Sequence, residues 1–311
     1  VKKYFRELSV ATALGILLIA LAVLAPSFYS PQPLLSLAAR ASVSLVVACG
    51  MALVIIARQI DISVGSMFAV CSVCAGLLAA MHWPLAAVIV ASILIGAVFG
   101  AFNGALVAGL GLPSIVVTLA TMVTWQEGLR WLRQGEFVNL PEGLQWFGLS
   151  QRQGQWTMVC GAILLLVLLA SAMRHLSAGR YVYAVGSDAE VARLSGIPPK
   201  RITFLIFVFM GALVGLAAIM NIAQSPQVDP QSGNGMELKV IAAVVVGGVA
   251  ISGGRGNLWG VFAGLLLLAC ISPALTHFHI EAYWEKAIQG VIILLAVVAE
   301  GLRKRKDLGH G

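Results

Sequence analysis

Apolar runs of about twenty residues recur along this chain with barely a charge inside them, and no single soluble core can hide them all. A helix crosses a hydrocarbon layer ~30 Å thick with about 20 consecutive apolar residues. Runs of that kind cover residues 8–25, 34–57, 64–82, 85–108, 113–132, 156–173, 202–223, 237–252, 258–273 and 285–302. Hydrophobic residues make up 59% of the 311 and charged residues only 11%, against about 25% charged in a soluble domain. The expected fold class is all-α: a polytopic membrane protein of about ten transmembrane helices, forming one transmembrane domain over residues 1–311. The prolines, from Pro26 to Pro273, fall mostly at or between the ends of these runs, where a residue lacking an N–H does least harm. The run from Leu8 to Ala25 is long and is followed by no small-x-small cleavage site before Pro26, so it reads as a retained first helix rather than a signal peptide.

The net charge of +7 raises the question of a nucleic-acid partner, and its distribution answers it. With the N-terminus in the cytoplasm, fourteen of the twenty lysines and arginines fall on inner segments. They are Lys2, Lys3, Arg6, Arg58, Arg174, Arg180, Arg193, Lys200, Arg201, Arg255, Arg303, Lys304, Arg305 and Lys306. Only Arg133 and Arg152 are clearly outside. This is the positive-inside pattern of a membrane protein with both termini cytoplasmic, facing an anionic leaflet. No nucleic-acid partner is expected. Trp83, Trp131, Trp156, Trp284 and Tyr283 stand near span ends, as an aromatic belt places them.

The sequence offers little catalytic chemistry. Cys49, Cys71, Cys74, Cys160 and Cys270 lie in apolar stretches at unrelated spacings, which suits helix packing better than disulfides or metal. His277 and His279 read as a surface pair at an outer turn. Gly253-Gly254-Arg255-Gly256 lacks the lysine and the strand–helix setting of a phosphate loop. No cofactor, metal or catalytic residue is expected on this chain, so energy must come from another chain or from an ion gradient. Asp61, Glu127, Glu237, Glu281, Glu285 and Glu300 all lie at or near span ends. Mid-span acids, the usual equipment of ion-coupled carriers, are missing from the sequence.

Several segments stand out against this apolar background. The outer loop 133–155 is polar and broken by Pro141, fit to form a lip toward an extracytoplasmic partner. The inner loop 174–201 holds a short helix that Ser187 or Asp188 can cap, that Gly196 can end and that Pro198-Pro199 prevents from continuing. Such a helix either lies on the membrane surface or plugs into a partner. In the cluster at residues 61–66, Asp61 and Ser63 can cap the third span and Gly65 permits close backbone approach; lining the passage is the competing role. The eighth span opens with Glu237-Leu238-Lys239 and is interrupted by Gly247, Gly248, Gly253 and Gly254; its apolar length of only about 15 residues is short for a crossing, so it is either a discontinuous helix beside a pathway or a tilted complete span. Asn103, Asn221 and Gln224 are interhelical hydrogen-bonding groups or solute ligands. Gly96, Gly100 and Gly104 are echoed by Gly256, Gly260 and Gly264, either an inverted repeat or two tight helix contacts.

Four strings resemble one known family. Residues 58–66 (RQIDISVGS), 113–121 (PSIVVTLAT), 186–197 (GSDAEVARLSGI) and 233–248 (GNGMELKVIAAVVVGG) look like the ribose/xylose/autoinducer-2 type permeases of bacterial ATP-binding-cassette sugar importers. The likeness runs in order from about residue 35 to 300. It implies a ten-helix permease fold shared with the vitamin B12 importer class, in the bacterial inner membrane. It also implies a second permease subunit, identical or paralogous, a periplasmic sugar-binding protein, and cytoplasmic ATPase subunits that carry ATP and Mg. The family's coupling helix maps to about 186–196, with Gly186, Ser187, Asp188, Ala192, Arg193, Leu194 and Gly196. Asp61, Ser63, Gly65, Asn103, Asn221, Glu237, Gly247 and Gly248 are the expected pathway or gating residues. Lys239 departs from the acid more usual in the family and leans toward autoinducer-2 or rhamnose permeases. An ion-coupled secondary sugar transporter is the alternative.

Overall fold

The computed structural model describes residues 29–277 without a break and, beyond them, residues 12, 15, 16, 18, 19, 281, 284, 286–292, 294 and 298. Most of the first expected span, half of the last, and His279, Tyr283, Glu285 and Glu300 lie outside the described residues. In chain order the helices are α1 (Pro31–Ile56), α2 (Val64–Ala80), α3 (Leu85–Gly104), α4 (Ser114–Arg133), α5 (Gln151–His175), α6 (Ser177–Ser187), α7 (Ala189–Leu194), α8 (Pro199–Ile222), α9 (Met236–Val246), α10 (Leu258–Ala269) and α11 (Ile271–His277). Among the described residues, five stretches are long and apolar enough to cross a membrane: α1, α3 with its extension to Gly109, α5, α8, and α10 with α11 to Leu275. The helix α2 has 17 residues, and α4 carries Glu127, Arg130 and Arg133.

The packing is that of a bundle in an apolar solvent. Every residue of α1 from Ala41 to Ile56 is buried, as a helix that is apolar all round must be when it stands at the centre. By contrast α3 buries one narrow stripe, Val88, Ser92, Gly96, Gly100 and Asn103. It turns Val90, Leu94, Val98 and Phe102 outward, each more than half exposed. Small and polar residues inside with large apolar ones outside is what hydrocarbon solvent selects. A Cβ on Gly96 would strike the Gly211 carbonyl, and one on Gly100 the Phe207 carbonyl; Ser92 Oγ donates to the Gly215 carbonyl at 2.8 Å. The second glycine series does the same work elsewhere: Gly264 faces the Ala243 carbonyl, and Gly260 lies against Gly247. Both stripes are therefore close helix crossings.

Connections gather at two ends of the bundle. One end holds the turn 57–63, a π-helical turn Ala105–Gly109 that closes with Leu110 N–H on the Ala105 carbonyl, the α6–α7 elbow and the turn 247–257. The other holds residues 134–150 and 223–228. There the all-α expectation needs one correction: β1 (Val138–Asn139) and β2 (Gln227–Val228) form a two-residue antiparallel ladder, Val138 opposite Val228 and Asn139 opposite Gln227. Alternating polar and apolar residues in so short a loop carry no readable strand period. The lip is also shorter than expected, because α5 already begins at Gln151, behind a capping box of Ser150 and Gln153.

Candidate functional site

The short helix α7 forms where the turn chemistry placed it. Asp188 Oδ1 accepts from the N–H groups of Glu190 and Val191 at 2.9 and 3.0 Å, and Gly196 leaves the helix at φ +82°. Arg193 Nε donates to Glu190 Oε2 at 3.0 Å. That hydrogen bond, with the charge behind it, holds the exposed Glu190 carboxyl below its ordinary value. Ala192 packs inward, whereas Val191 and Leu194 are 58% and 73% exposed. Two bare aliphatic side chains thus project from a charged, water-facing turn.

What anchors this helix is backbone contact. A Cβ on Gly186 would overlap the Ile56 carbonyl at the end of α1, and would stand 2.8 Å from Gly254 N. Gly254 N–H donates to that same Ile56 carbonyl at 2.8 Å. Gly253 and Gly254 have φ of +81° and +71°, a left-handed pair that only glycine adopts freely. Tyr183 Oη donates to the Gly256 carbonyl at 2.9 Å. The glycine cluster 253–256, which fails as a phosphate loop, is the seat on which α6 and the elbow rest.

Beside it, the turn 57–63 is held by side chains from α4. Ile60 N–H donates to Ser114 Oγ at 3.2 Å and Ile62 N–H to Thr118 Oγ1 at 3.0 Å. Asp61 and Ser63 do not cap α2 as expected; neither makes a side-chain cap bond to the helix. Instead Asp61 Oδ1 accepts from Ser63 N–H at 2.9 Å and from Ser63 Oγ at 2.6 Å. Ser63 Oγ accepts in turn from Asn103 Nδ2 at 2.8 Å. One oxygen of the carboxyl, Oδ1, is taken up in holding Ser63, because the turn folds back on itself before the helix starts.

One turn further, Gly65 lies against residues far off in sequence. Its Cβ position is filled by Glu237 Oε2 and the Gly233 carbonyl, and Gly233 reciprocally meets the Gly65 carbonyl. Lys286 lies beside Gly235, its Cε 3.3 Å from a Cβ placed there, and Gln126 Nε2 donates to Asn234 Oδ1 at 3.1 Å. Val228, by contrast, touches the Gly76 position of α2. Between Val228 and Gly233, non-helical chain runs from the level of Gly76 to that of Gly65, about 16 Å along the helix. The helix α9 then has only 11 residues, ending at Gly247, with Gly248 at φ +91°. Of the two readings of the eighth span, the discontinuous helix is the one formed. Irregular backbone inside a bundle is tolerated where protein satisfies it.

Eight of the expected residues fall into three groups: Gly186, Ser187 and Asp188 by the glycine seat; Asp61, Ser63 and Asn103; and Gly65 with Glu237. Ala192, Arg193, Leu194 and Gly196 follow on α7 and at its end, and Gly247 and Gly248 close α9, Gly247 against Gly260. Asn221 stands apart, in the last turn of α8 at the other end, its carbonyl accepting from Gln224 N–H at 3.0 Å. Ser114, Thr118 and Tyr183 were not singled out as site residues. Ser114 and Thr118 stand four apart on one helical face, a signal present in the sequence; Tyr183 offers none. Among the described residues, no three histidine, cysteine, aspartate or glutamate side chains gather as a metal site.

Long apolar helices crossing through glycine, an outward-facing aliphatic surface and a broken helix inside define a polytopic membrane protein of transporter type. The chain belongs to the family described as branched-chain amino acid transport system / permease component, whose model matches residues 34–297. It is 35% identical to the autoinducer 2 import system permease protein LsrC of Enterobacter sp. (strain 638), over 98% of this chain and 89% of that protein. It is 31% identical to the ribose import permease protein RbsC of Escherichia coli (strain K12), over 97% of this chain and 96% of that protein. No solved structure matches the chain.

Proposed function

We propose that this chain is the membrane subunit of an ATP-binding-cassette importer, passing a small sugar or sugar-like solute inward by alternating access. The solute class follows the relatives, whose names give autoinducer 2 and ribose. The supporting partners are cytoplasmic ATPase subunits carrying ATP and Mg, a second permease subunit and a periplasmic sugar-binding protein. In this reading the membrane is the bacterial inner membrane, both termini are cytoplasmic, and ten spans follow the arrangement of the vitamin B12 importer class. Each of the eight expected spans between the first and the last overlaps a described helix.

The single observation that carries the reading is α7: a capped, protruding helix with Val191 and Leu194 bare, seated through Gly186 on the ends of α1 and the turn before α10. An apolar tip on a rigid elbow is built to sit in a partner's groove. A push on it arrives at α1 and α10 as rigid-body motion. In reconstituted vesicles holding all the subunits, Leu194→Asp lowers ATP-driven uptake at least about tenfold, the loss of one interface anchor of roughly 1.4 kcal/mol or more, while the chain still inserts and folds. Uptake that persists without ATP and collapses with a protonophore would falsify the assignment and favour an ion-coupled carrier.

A further inference from the structure

Asp61 is the one fully buried acid among the described residues, at 0% exposure. Its Oδ1 takes both hydrogen bonds that Ser63 offers. Its Oδ2 has no partner among the described residues. The Asn103 amide lies against both the Ser63 hydroxyl and the Asp61 carboxyl. Its Nδ2 is committed to Ser63 Oγ, and its Oδ1, also wholly buried, is likewise unpartnered. Two orphaned acceptors therefore sit in one buried cluster, one of them on a group that normally carries a negative charge.

Among the described residues, Lys239 on α9 included, no cation acts on Asp61. Neither α2 nor α3 contains a charged residue. The helix α4 presents the Ser114 and Thr118 hydroxyls here, and its Glu127, Arg130 and Arg133 stand toward the far end. Lys200 and Arg201, at the start of α8 below Phe204, are exposed, as is Arg58 in the turn itself. Across Gly65 the nearest charged group is Glu237, an acid, with Lys286 beyond it and exposed. An ionised, unpaired carboxylate in such a place costs several kcal/mol, and the group's ordinary response is to take up a proton.

We propose that Asp61 Oδ2 is a proton-binding site, the bound proton closing a hydrogen bond to Asn103 Oδ1 and tying the turn 57–63 to the end of α3. The proton comes from water on the Arg58 side and returns there; no other bond changes. One proton satisfies both orphaned oxygens at once and needs no cavity. Burial pushes the carboxyl up to about 6, against the Ser63 hydroxyl and amide and the Asn103 amide, which pull it down. An aspartate free in water titrates near about 3.9. The site's contribution to stability is therefore complete below that value and is lost as pH rises through about 6.

The test uses the purified full chain in lipid nanodiscs and needs no partner. Infrared difference spectra between about pH 5 and about pH 8 show the C=O band of a protonated carboxyl, lost on going up with a midpoint near 6, and missing in Asp61→Asn. The wild-type thermal midpoint falls over the same interval, while that of Asp61→Asn, whose amide donates to Asn103 Oδ1 in place of the proton, stays level. Should Asp61→Asn fail to accumulate, Asn103→Leu moves the band to the position of a carboxyl without an acceptor. A carboxylate throughout the range, a band that survives Asp61→Asn, or a band unmoved by Asn103→Leu overturns the proposal.

Discussion

Thr118 shows how a single hydroxyl can hold a turn. Its Oγ1 donates to the Ser114 carbonyl at 2.8 Å and accepts from Ile62 N–H at 3.0 Å, so it spends a helix-internal bond to orient a lone pair at the turn. Thr118→Val keeps the shape and removes the acceptor. Leaving a half-buried N–H unpaired costs about 1 kcal/mol, and a lowered thermal midpoint of the purified chain, with insertion unchanged, is the expected result; an unaltered midpoint would mean that Ser114, Asp61 and Ser63 hold the turn without it. At this scale the sequence was only partly legible. The string 113–121 was recognised as a motif, yet its hydroxyls were not assigned work, because nothing in a linear sequence says that residues 58–63 return to lie over α4. The same limit explains Asp61. Asp-x-Ser ahead of a helix reads as a cap, whereas the folded turn makes the aspartate a partner of the serine itself.

Among the elements, the elbow was the most legible, since its boundaries are set by local chemistry: an acceptor at Asp188, a left-handed glycine at 196 and two prolines beyond. Removing the first of these is a clean experiment. Asp188→Ala loses two bonds to the first turn of α7, worth about 1 kcal/mol of helix stability. In the reconstituted importer the expected outcome is ATP hydrolysis that continues with less solute moved per ATP, read by measuring both rates on one preparation; equal loss of both rates would instead point to failed assembly. The amphipathic α6 was not foreseen. Its 11 residues are too few for a span and carry no sharp cap of their own, so the inner loop looked like one helix where there are two. The break before α9 was visible as a choice between two readings, because Gly247 and Gly248 shorten the apolar run. What decides it is Gly65, 168 residues earlier than Gly233, offering the gap into which the irregular chain fits.

At the level of the whole molecule, the apolar runs marked the places and order of the long helices from α1 to α10 among the described residues, and left their neighbours unspecified. The α1 core position follows from its unbroken apolarity, but the pairing of α3 with α8 rests on glycines that any partner could have met. The two-residue ladder is the feature furthest from anything the sequence announced. Asn139 stands opposite Gln227, and paired Cα atoms in an antiparallel ladder are about 4.5–5.5 Å apart, within the reach of a disulfide. In a background with the exposed Cys160 replaced by Ser, Asn139→Cys with Gln227→Cys is expected to cross-link on oxidation and to leave uptake unchanged. Arrested uptake that reduction restores would show that the two strands must part during each cycle.

That small ladder ties together two loops that also lie side by side against Gly76 of α2. Residue 138 belongs to the rim; residue 228 is the last one before the chain dives toward Gly65 and Glu237. A protein settling on the rim therefore grips, through a two-residue ladder, the upper end of a cord whose lower end lies against Gly65, close to the Asp61 turn. In the importer proposed above, a signal of cargo at one face can pass along that strand of chain to the turn at the other, with α9 hanging from it like a bell-pull.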